Sequence, residues 1–384
     1  MSNNERIFLS SPHMSGNEQK YIKEAFDLNW IAPLGNNVDG LEHDLANYNS
    51  ISDAAVFTSG TAAIHLALRL LNVGKEDKVF CSSLTFVASA NPIFYQHAKP
   101  VLIDSEMDTW NMSPQALKRA LSEAQEEGQL PRAIIIVNLY GQSAKMEELL
   151  QICNKYNVPV IEDAAESLGS TYKGQKSGTF GKFGVFSFNG NKIITTSGGG
   201  ALVSNDEEAL KKARFLSTQA RDQALHYQHS ELGYNYRMSN IVAGIGRGQM
   251  EVLDERVSQK RAVFKRYFDA FNDIDGIDFQ PELKDTKSNR WLTALTIDFQ
   301  KTGVTKEEII KQLKEVNIEA RPVWKPMHLQ PLFEGVKYYP HEKDNSVSDI
   351  LFESGLCLPS GSNMSMEDQD RIINLILDIM KGAR

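Results

Sequence analysis

A single lysine, Lys192, stands between the apolar run Val185 to Phe188 and the glycine cluster Gly198-Gly199-Gly200. The run reads as a buried strand, and Asn189-Gly190-Asn191 as the turn that delivers the lysine. A surface lysine ordinarily lies on a polar helix face. An amine held in apolar surroundings loses its proton more readily and can form a Schiff base with an aldehyde. The plainer alternative is a tight turn with a solvated lysine. A second stretch, Val160-Ile161-Glu162-Asp163-Ala164-Ala165-Glu166-Ser167, sets an aspartate directly behind a strand pattern. Ligands of open α/β sheets bind at that end of a strand. Asp163 could cap a helix there or hold a heterocycle nitrogen. The third stretch, Thr58-Ser59-Gly60-Thr61-Ala62-Ala63, is a turn between a strand and a helix. Backbone N–H groups at such a helix start, with the Thr61 hydroxyl, suit one phosphate.

Other motifs carry less. Gly181-Lys182 is followed by Phe183, so it is no Walker A loop, and Gly244-x-Gly246-x-Gly248 lacks the spacing of a dinucleotide fingerprint. His226-x-x-His229 has no third ligand nearby, so no metal site is expected. A phosphate turn, a strand-end acid and a downstream lysine stand in that order, and the lysine could bind pyridoxal phosphate. The acid would keep the pyridinium protonated, and so keep the ring an electron sink.

The elements that must position these residues alternate. Strand patterns at Ala55–Phe57, Lys78–Cys81, Lys99–Ile103, Ala133–Asn138 and Val158–Ile161 are separated by helical ones at Ala62–Leu71, near Phe86–Gln96, from Ser113-Pro114 to about Glu127, and over Met146–Tyr156. Such alternation predicts an α/β fold, a mainly parallel sheet covered on both faces. An amphipathic helix near Glu18–Leu28 precedes it. Ser217 to Arg237 is a long polar stretch, of the kind that is usually functional or disordered. A long helix over roughly Ser239 to Phe271 leads to a smaller C-terminal α+β region. That region holds a strand at Trp291–Phe299, a capping box at Thr305-x-x-Glu308 and helices near Val347–Gly355 and Met366–Met380. Two domains are expected, 1–250 and 251–384.

The 384 residues allow a large core, and the net charge of −8 argues against a nucleic-acid or anionic-membrane surface. Three widely spaced cysteines fit a reducing compartment. The start shows no signal-peptide pattern and no apolar run is long enough for a bilayer, so a soluble, cytoplasmic protein is expected.

Across nearly the whole length the chain resembles the DegT/StrS family of sugar aminotransferases, pyridoxal-phosphate enzymes of aspartate-aminotransferase-like fold (fold type I). The resemblance is carried by Ser59-Gly60-Thr61-Ala62-Ala63, Thr85-Phe86, Glu162-Asp163-Ala164-Ala165-Glu166, Ser187-Phe188 with Gly190-Asn191-Lys192, Gly233-Tyr234-Asn235-Tyr236-Arg237 and Arg321-Pro322-x-Trp324-Lys325-x-x-His328. It implies that Lys192 forms the Schiff base and shuttles protons to the sugar C4, and that Asp163 pairs with the pyridine nitrogen. Gly60, Thr61 and Ser187 would hold the phosphate, Phe86 would stack on the ring, and Glu166 would lie near its phenolic oxygen. Asn235 would reach the phosphate of the neighbouring subunit, making a homodimer with sites at the interface.

Within the family the chain looks most like the transaminases of the UDP-N-acetylbacillosamine pathway, which share the stretch from Asn189-Gly190-Asn191-Lys192 through Ser197-Gly198-Gly199-Gly200. Many members carry His-Pro-x-Lys at the lysine loop, which this chain does not. The implied reaction moves an amino group from L-glutamate to C4 of a UDP-linked 4-keto-6-deoxy-N-acetylhexosamine. The alternatives are a GDP-perosamine synthase-like enzyme and a non-catalytic regulatory relative. Candidate substrate contacts are Asn29, Trp30, Ile31, Ala32, Arg321 and His328. Each group has a structural alternative: Trp30 a loop anchor, Arg321 an ion pair, His328 a capped histidine.

Overall fold

The computed structural model describes residues 5–382, so Met1 to Asn4 at the start lie outside the described residues. Its centre is an eight-stranded sheet. In spatial order the strands are Asp53–Phe57, Gly200–Ser204, Phe183–Ser187, Val160–Asp163, Ala133–Val137, Lys78–Ser82, Lys99–Ile103 and Tyr338–Tyr339. The last six pair in parallel, while Gly200–Ser204 runs antiparallel to both its neighbours. Ala133–Val137, buried at every position, shows why the strands read as continuous apolar runs: helices cover both faces.

This topology decides where the chemistry collects. Asp53–Phe57, Val160–Asp163 and Phe183–Ser187 all point the same way, so Thr58, Asp163 and Ser187 emerge at one edge of the sheet. Gly200 opens the antiparallel strand opposite both Phe57 and Ser187. A side chain on Gly200 would collide with the backbone of Ser59 and Gly60. The missing Cβ is what lets the turn at Gly60 sit beside Ser187.

The C-terminal region forms an antiparallel sheet in the order Ile277–Phe279, Thr293–Ile297, Gly355–Leu358, Arg321–Pro322. Helices Leu253–Phe271, Lys306–Glu315 and Met366–Gly382 bury Tyr267, Phe271, Leu313, Ile372 and Ile376 in its core. Thr305 and Glu308 form the expected capping box.

Four features differ from the sequence reading. The helix from Ser239 is two, Asn240–Met250 and Leu253–Phe271, with Val252 leaving helical geometry between them. The helix near Phe86–Gln96 is a 3₁₀ turn, Val87–Ser89, and a short helix, Asn91–Tyr95. A helix at Asn36–Asn49 was not anticipated. The chain also does not divide cleanly at 250. Tyr338–Tyr339 returns to edge the large sheet, while Ile7 pairs with Ile318 in the C-terminal layer. The glycines of Gly244-x-Gly246-x-Gly248 serve close helix packing: a Cβ on Gly248 would lie 2.6 Å from the Glu18 backbone nitrogen.

Candidate active site

At the strand edge lies a cavity of about 390 Å³, lined among others by Gly60, Thr61, Phe86, Asp163, Glu166, Ser187 and Lys192. Seven residues chosen from the sequence therefore line one cavity. The lysine is placed by a turn: its backbone N–H donates to the Asn189 carbonyl at 3.0 Å. Phe188 then locks the loop, accepting from Thr196 N at 2.9 Å and from Thr195 Oγ1 at 3.1 Å. The Lys192 side chain is 12% exposed, and its Nζ lies 3.5 Å from Glu166 Oε1 and 4.0 Å from the centre of the Trp291 ring.

Asp163 closes the floor. Ser89 Oγ donates to its Oδ2 at 2.6 Å and the Ala165 N–H to its Oδ1 at 3.1 Å. Burial pushes the Asp163 pKa above the ordinary aspartate value, against those two bonds and the Lys192 charge. Glu166 is likewise raised, first by burial, with Lys192 and the Tyr140 N–H opposing. Glu166 is thus within ion-pair range of the lysine, and Asp163 feels its charge. At the opposite wall Ser59 caps the helix Gly60–Leu70, its hydroxyl accepting from Ala62 N at 3.0 Å. Gly60 and Thr61 occupy the first helical positions, whose N–H groups have no partner within a helix. Those donors and the Ser187 hydroxyl line the same cavity.

Residues 12–377 match the sequence profile of the DegT/DnrJ/EryC1/StrS aminotransferase family. The chain belongs to that family. EpsN of Bacillus subtilis (strain 168), assigned as a pyridoxal phosphate-dependent aminotransferase, is 61% identical over 97% of this chain and 96% of its own. The GDP-perosamine synthase of Caulobacter vibrioides is 35% identical over 97% of this chain and 98% of its own. The PLP form of Spr1654 from Streptococcus pneumoniae, assigned as a sugar aminotransferase, superposes with a TM-score of 0.89 at 26% identity, covering 99% of this chain and all of that one (100%). This DegT-family protein is therefore a pyridoxal-phosphate-dependent enzyme of fold type I that aminates nucleotide sugars.

The residues present fit the cofactor. Helix-start donors and a hydroxyl suit a phosphate, a buried acid suits a pyridinium, and an amine stands between them.

Beside this cavity opens a second, of about 650 Å³, lined by Phe8 to Pro12, Arg321 to Lys325 and Phe352; Asn191, Trp291 and Trp324 line both. Arg321 faces it, 62% exposed and paired with Glu319 at 2.8 Å. The other substrate candidates lie elsewhere. His328 lines neither cavity. One ring nitrogen bonds Ser83 Oγ and the other lies 2.8 Å from Asp349, while the ring stacks on Tyr338 at 3.7 Å. These contacts match the structural alternative for His328, a histidine engaged within the chain. Asn29, Trp30, Ile31 and Ala32 are exposed and likewise line neither cavity. Asn240 holds their loop, donating from Nδ2 to the Trp30 carbonyl at 2.8 Å and from its backbone N–H to Ala32 at 2.9 Å. Asn235 is exposed too, beside Tyr236, whose carbonyl accepts from Thr58 N at 2.8 Å.

Sequence reasoning did not single out Ser89, Tyr140 and Trp291. Ser89 falls one helical turn after the Thr85 hydroxyl it meets at 2.7 Å, a spacing that could have flagged it. Tyr140 and Trp291 are brought in by tertiary contacts with no local pattern.

Proposed function

We propose that this enzyme moves an amino group from L-glutamate to C4 of a UDP-linked 4-keto-6-deoxy-N-acetylhexosamine, giving the equatorial amine, and that it works as a homodimer. The observation that carries the reading is the shared wall of Asn191, Trp291 and Trp324, which joins a cavity fit for the cofactor to a larger crevice with Arg321 and Lys325. A sugar held against Lys192 would extend its diphosphate into that crevice. A guanidinium suits that group as a bidentate donor.

Bound pyridoxal phosphate supplies an aldehyde that accepts the amino group and a ring that withdraws electrons. This chain's residues do the rest. Gly60, Thr61 and Ser187 would anchor the phosphate, Phe86 would pack on the ring, and Asp163 would keep the ring nitrogen protonated. Glu166 would lie near the ring's phenolic oxygen, and it pairs with the Lys192 amine. Lys192 Nζ carries a proton off the donor and later delivers one to the sugar C4. Asn235 and the Asn29–Ala32 loop, which line neither cavity of their own chain, serve the partner's site.

The second reading is a GDP-linked 2-hydroxy substrate, favoured by the 35% identity to a GDP-perosamine synthase. Incubating the enzyme and glutamate with a panel of 4-keto nucleotide sugars, with products weighed by mass spectrometry, separates the two. A one-oxygen-for-NH₃ mass change on the UDP N-acetyl sugar is expected. Amination of GDP sugars alone would reject the first reading.

A further inference from the structure

Lys260 lies in the middle of the helix Leu253–Phe271, outside both cavities, and is only 2% exposed. A buried lysine in mid-helix normally pairs with a carboxylate. Lys260 instead meets three oxygens, none of them a carboxylate. Its Nζ donates to the Ser360 carbonyl at 2.8 Å, to Ser10 Oγ at 3.0 Å and to the Trp291 carbonyl at 3.1 Å. Burial pushes its pKa down to about 7. The three hydrogens of the ammonium match the three acceptors one for one, whereas a neutral amine has two.

Each acceptor belongs to a different part of the chain. Ser10 is in the N-terminal segment, Trp291 precedes the strand Thr293–Ile297, and Ser360 follows the strand Gly355–Leu358. Ser360 binds the other two segments, its N–H donating to the Leu9 carbonyl at 2.7 Å and its Oγ accepting from Thr293 N at 2.8 Å.

From this frame two donors reach one atom. With its lone pair engaged by Lys260, Ser10 Oγ turns its hydrogen to the Asn191 carbonyl at 2.9 Å. Trp291 Nε1 donates to the same carbonyl at 2.7 Å. Asn191 immediately precedes Lys192, and the Trp291 ring lies under the Lys192 amine. We propose that Lys260 is a positioning residue for Lys192: through Ser10 and Trp291 its ammonium fixes the Asn191 carbonyl and the ring beneath the reacting amine. The inference rests on Lys192 being the lysine that takes the cofactor.

The test uses the holoenzyme and two variants, Lys260→Met and Ser10→Ala. The second cuts the link to Asn191 while Lys260 stays in place, and carries the test by itself if the first does not fold. Borohydride reduction and peptide mapping first locate the cofactor's covalent bond. Label on another lysine would overturn the reading of the site and this inference with it.

With label on Lys192, the pH midpoint of the bound cofactor's absorption band is expected to move by about half a pH unit or more in Lys260→Met. The kcat should fall about tenfold, the scale seen when an outer group that orients a reacting one is lost, with the nucleotide-sugar KM nearly unchanged. Ser10→Ala should move both readings in the same direction by less. A wild-type midpoint and kcat in both variants, even with lowered thermal stability, would reduce Lys260 to a core residue and overturn the proposal.

Discussion

Lys192 Nζ and Glu166 Oε1 lie 3.5 Å apart in a setting where both side chains are nearly shut off from water. Glu166 cannot swing away, because its other oxygen accepts the Tyr140 N–H at 2.7 Å. The amine is thus bracketed by a fixed counterion on one side and the Trp291 ring on the other.

Replacing the amine removes both the point of covalent attachment and the proton carrier. Lys192→Ala is expected to lose turnover completely while keeping the wild-type fold by circular dichroism. The phosphate site should still bind the cofactor non-covalently. Normal turnover would remove the assignment of this lysine.

Asp163 answers two measurements with opposite signs. In the holoenzyme, Asp163→Asn should slow turnover by orders of magnitude, at about 1.4 kcal/mol per factor of ten, since an amide cannot hold the pyridinium proton. In the cofactor-free protein the same change should stabilise. Burial raises the folded-state pKa of Asp163 above its unfolded value. The folded protein then binds more protons, so the wild type loses stability as pH rises from about 4 towards that raised value. Melting temperatures of the two cofactor-free proteins should converge near pH 4 and separate, with Asn higher, near pH 8. A constant gap across that range would show that the buried carboxylate is not the source.

Asn235→Ala, weak alone, and Lys192→Ala, inactive alone, should partly restore activity when mixed and allowed to exchange subunits. One site of the mixed dimer then has both wild-type residues. Verified heterodimers with no regained activity would place Asn235 outside the partner's site.

How far the sequence reached can be read residue by residue. Asp163 and Thr58 were legible because each follows a strand pattern, and strands that run the same way bring such positions together. Ser187 came from the family resemblance alone. The Asn36–Asn49 helix was not legible, its apolar positions Val38, Leu41 and Leu45 being diluted by asparagines and by Gly40. Its buried acid, Glu42, is matched by Arg214 and Arg237 from far along the chain. Trp291 had no local signature either: its role is set by Asn191 and Lys192, contacts between segments remote in sequence. His328 was nominated from its place in the Arg321-to-His328 motif, with a capped histidine as the alternative. Its pKa is pushed down mainly by burial, and both ring nitrogens are engaged inside the chain.

The ratio of two specificity constants decides which sugar the enzyme takes. A pocket that hydrogen-bonds an N-acetyl group should reject a 2-hydroxy analogue more strongly than it would reject one extra methylene, because unpaired buried polar groups carry the larger penalty. The kcat/KM for the UDP-linked 4-keto-6-deoxy-N-acetylhexosamine should therefore far exceed that for the GDP-linked 4-keto-6-deoxy sugar with a 2-hydroxyl. A higher kcat/KM for the GDP sugar would rule out the UDP-linked substrate and place this enzyme with the perosamine synthases.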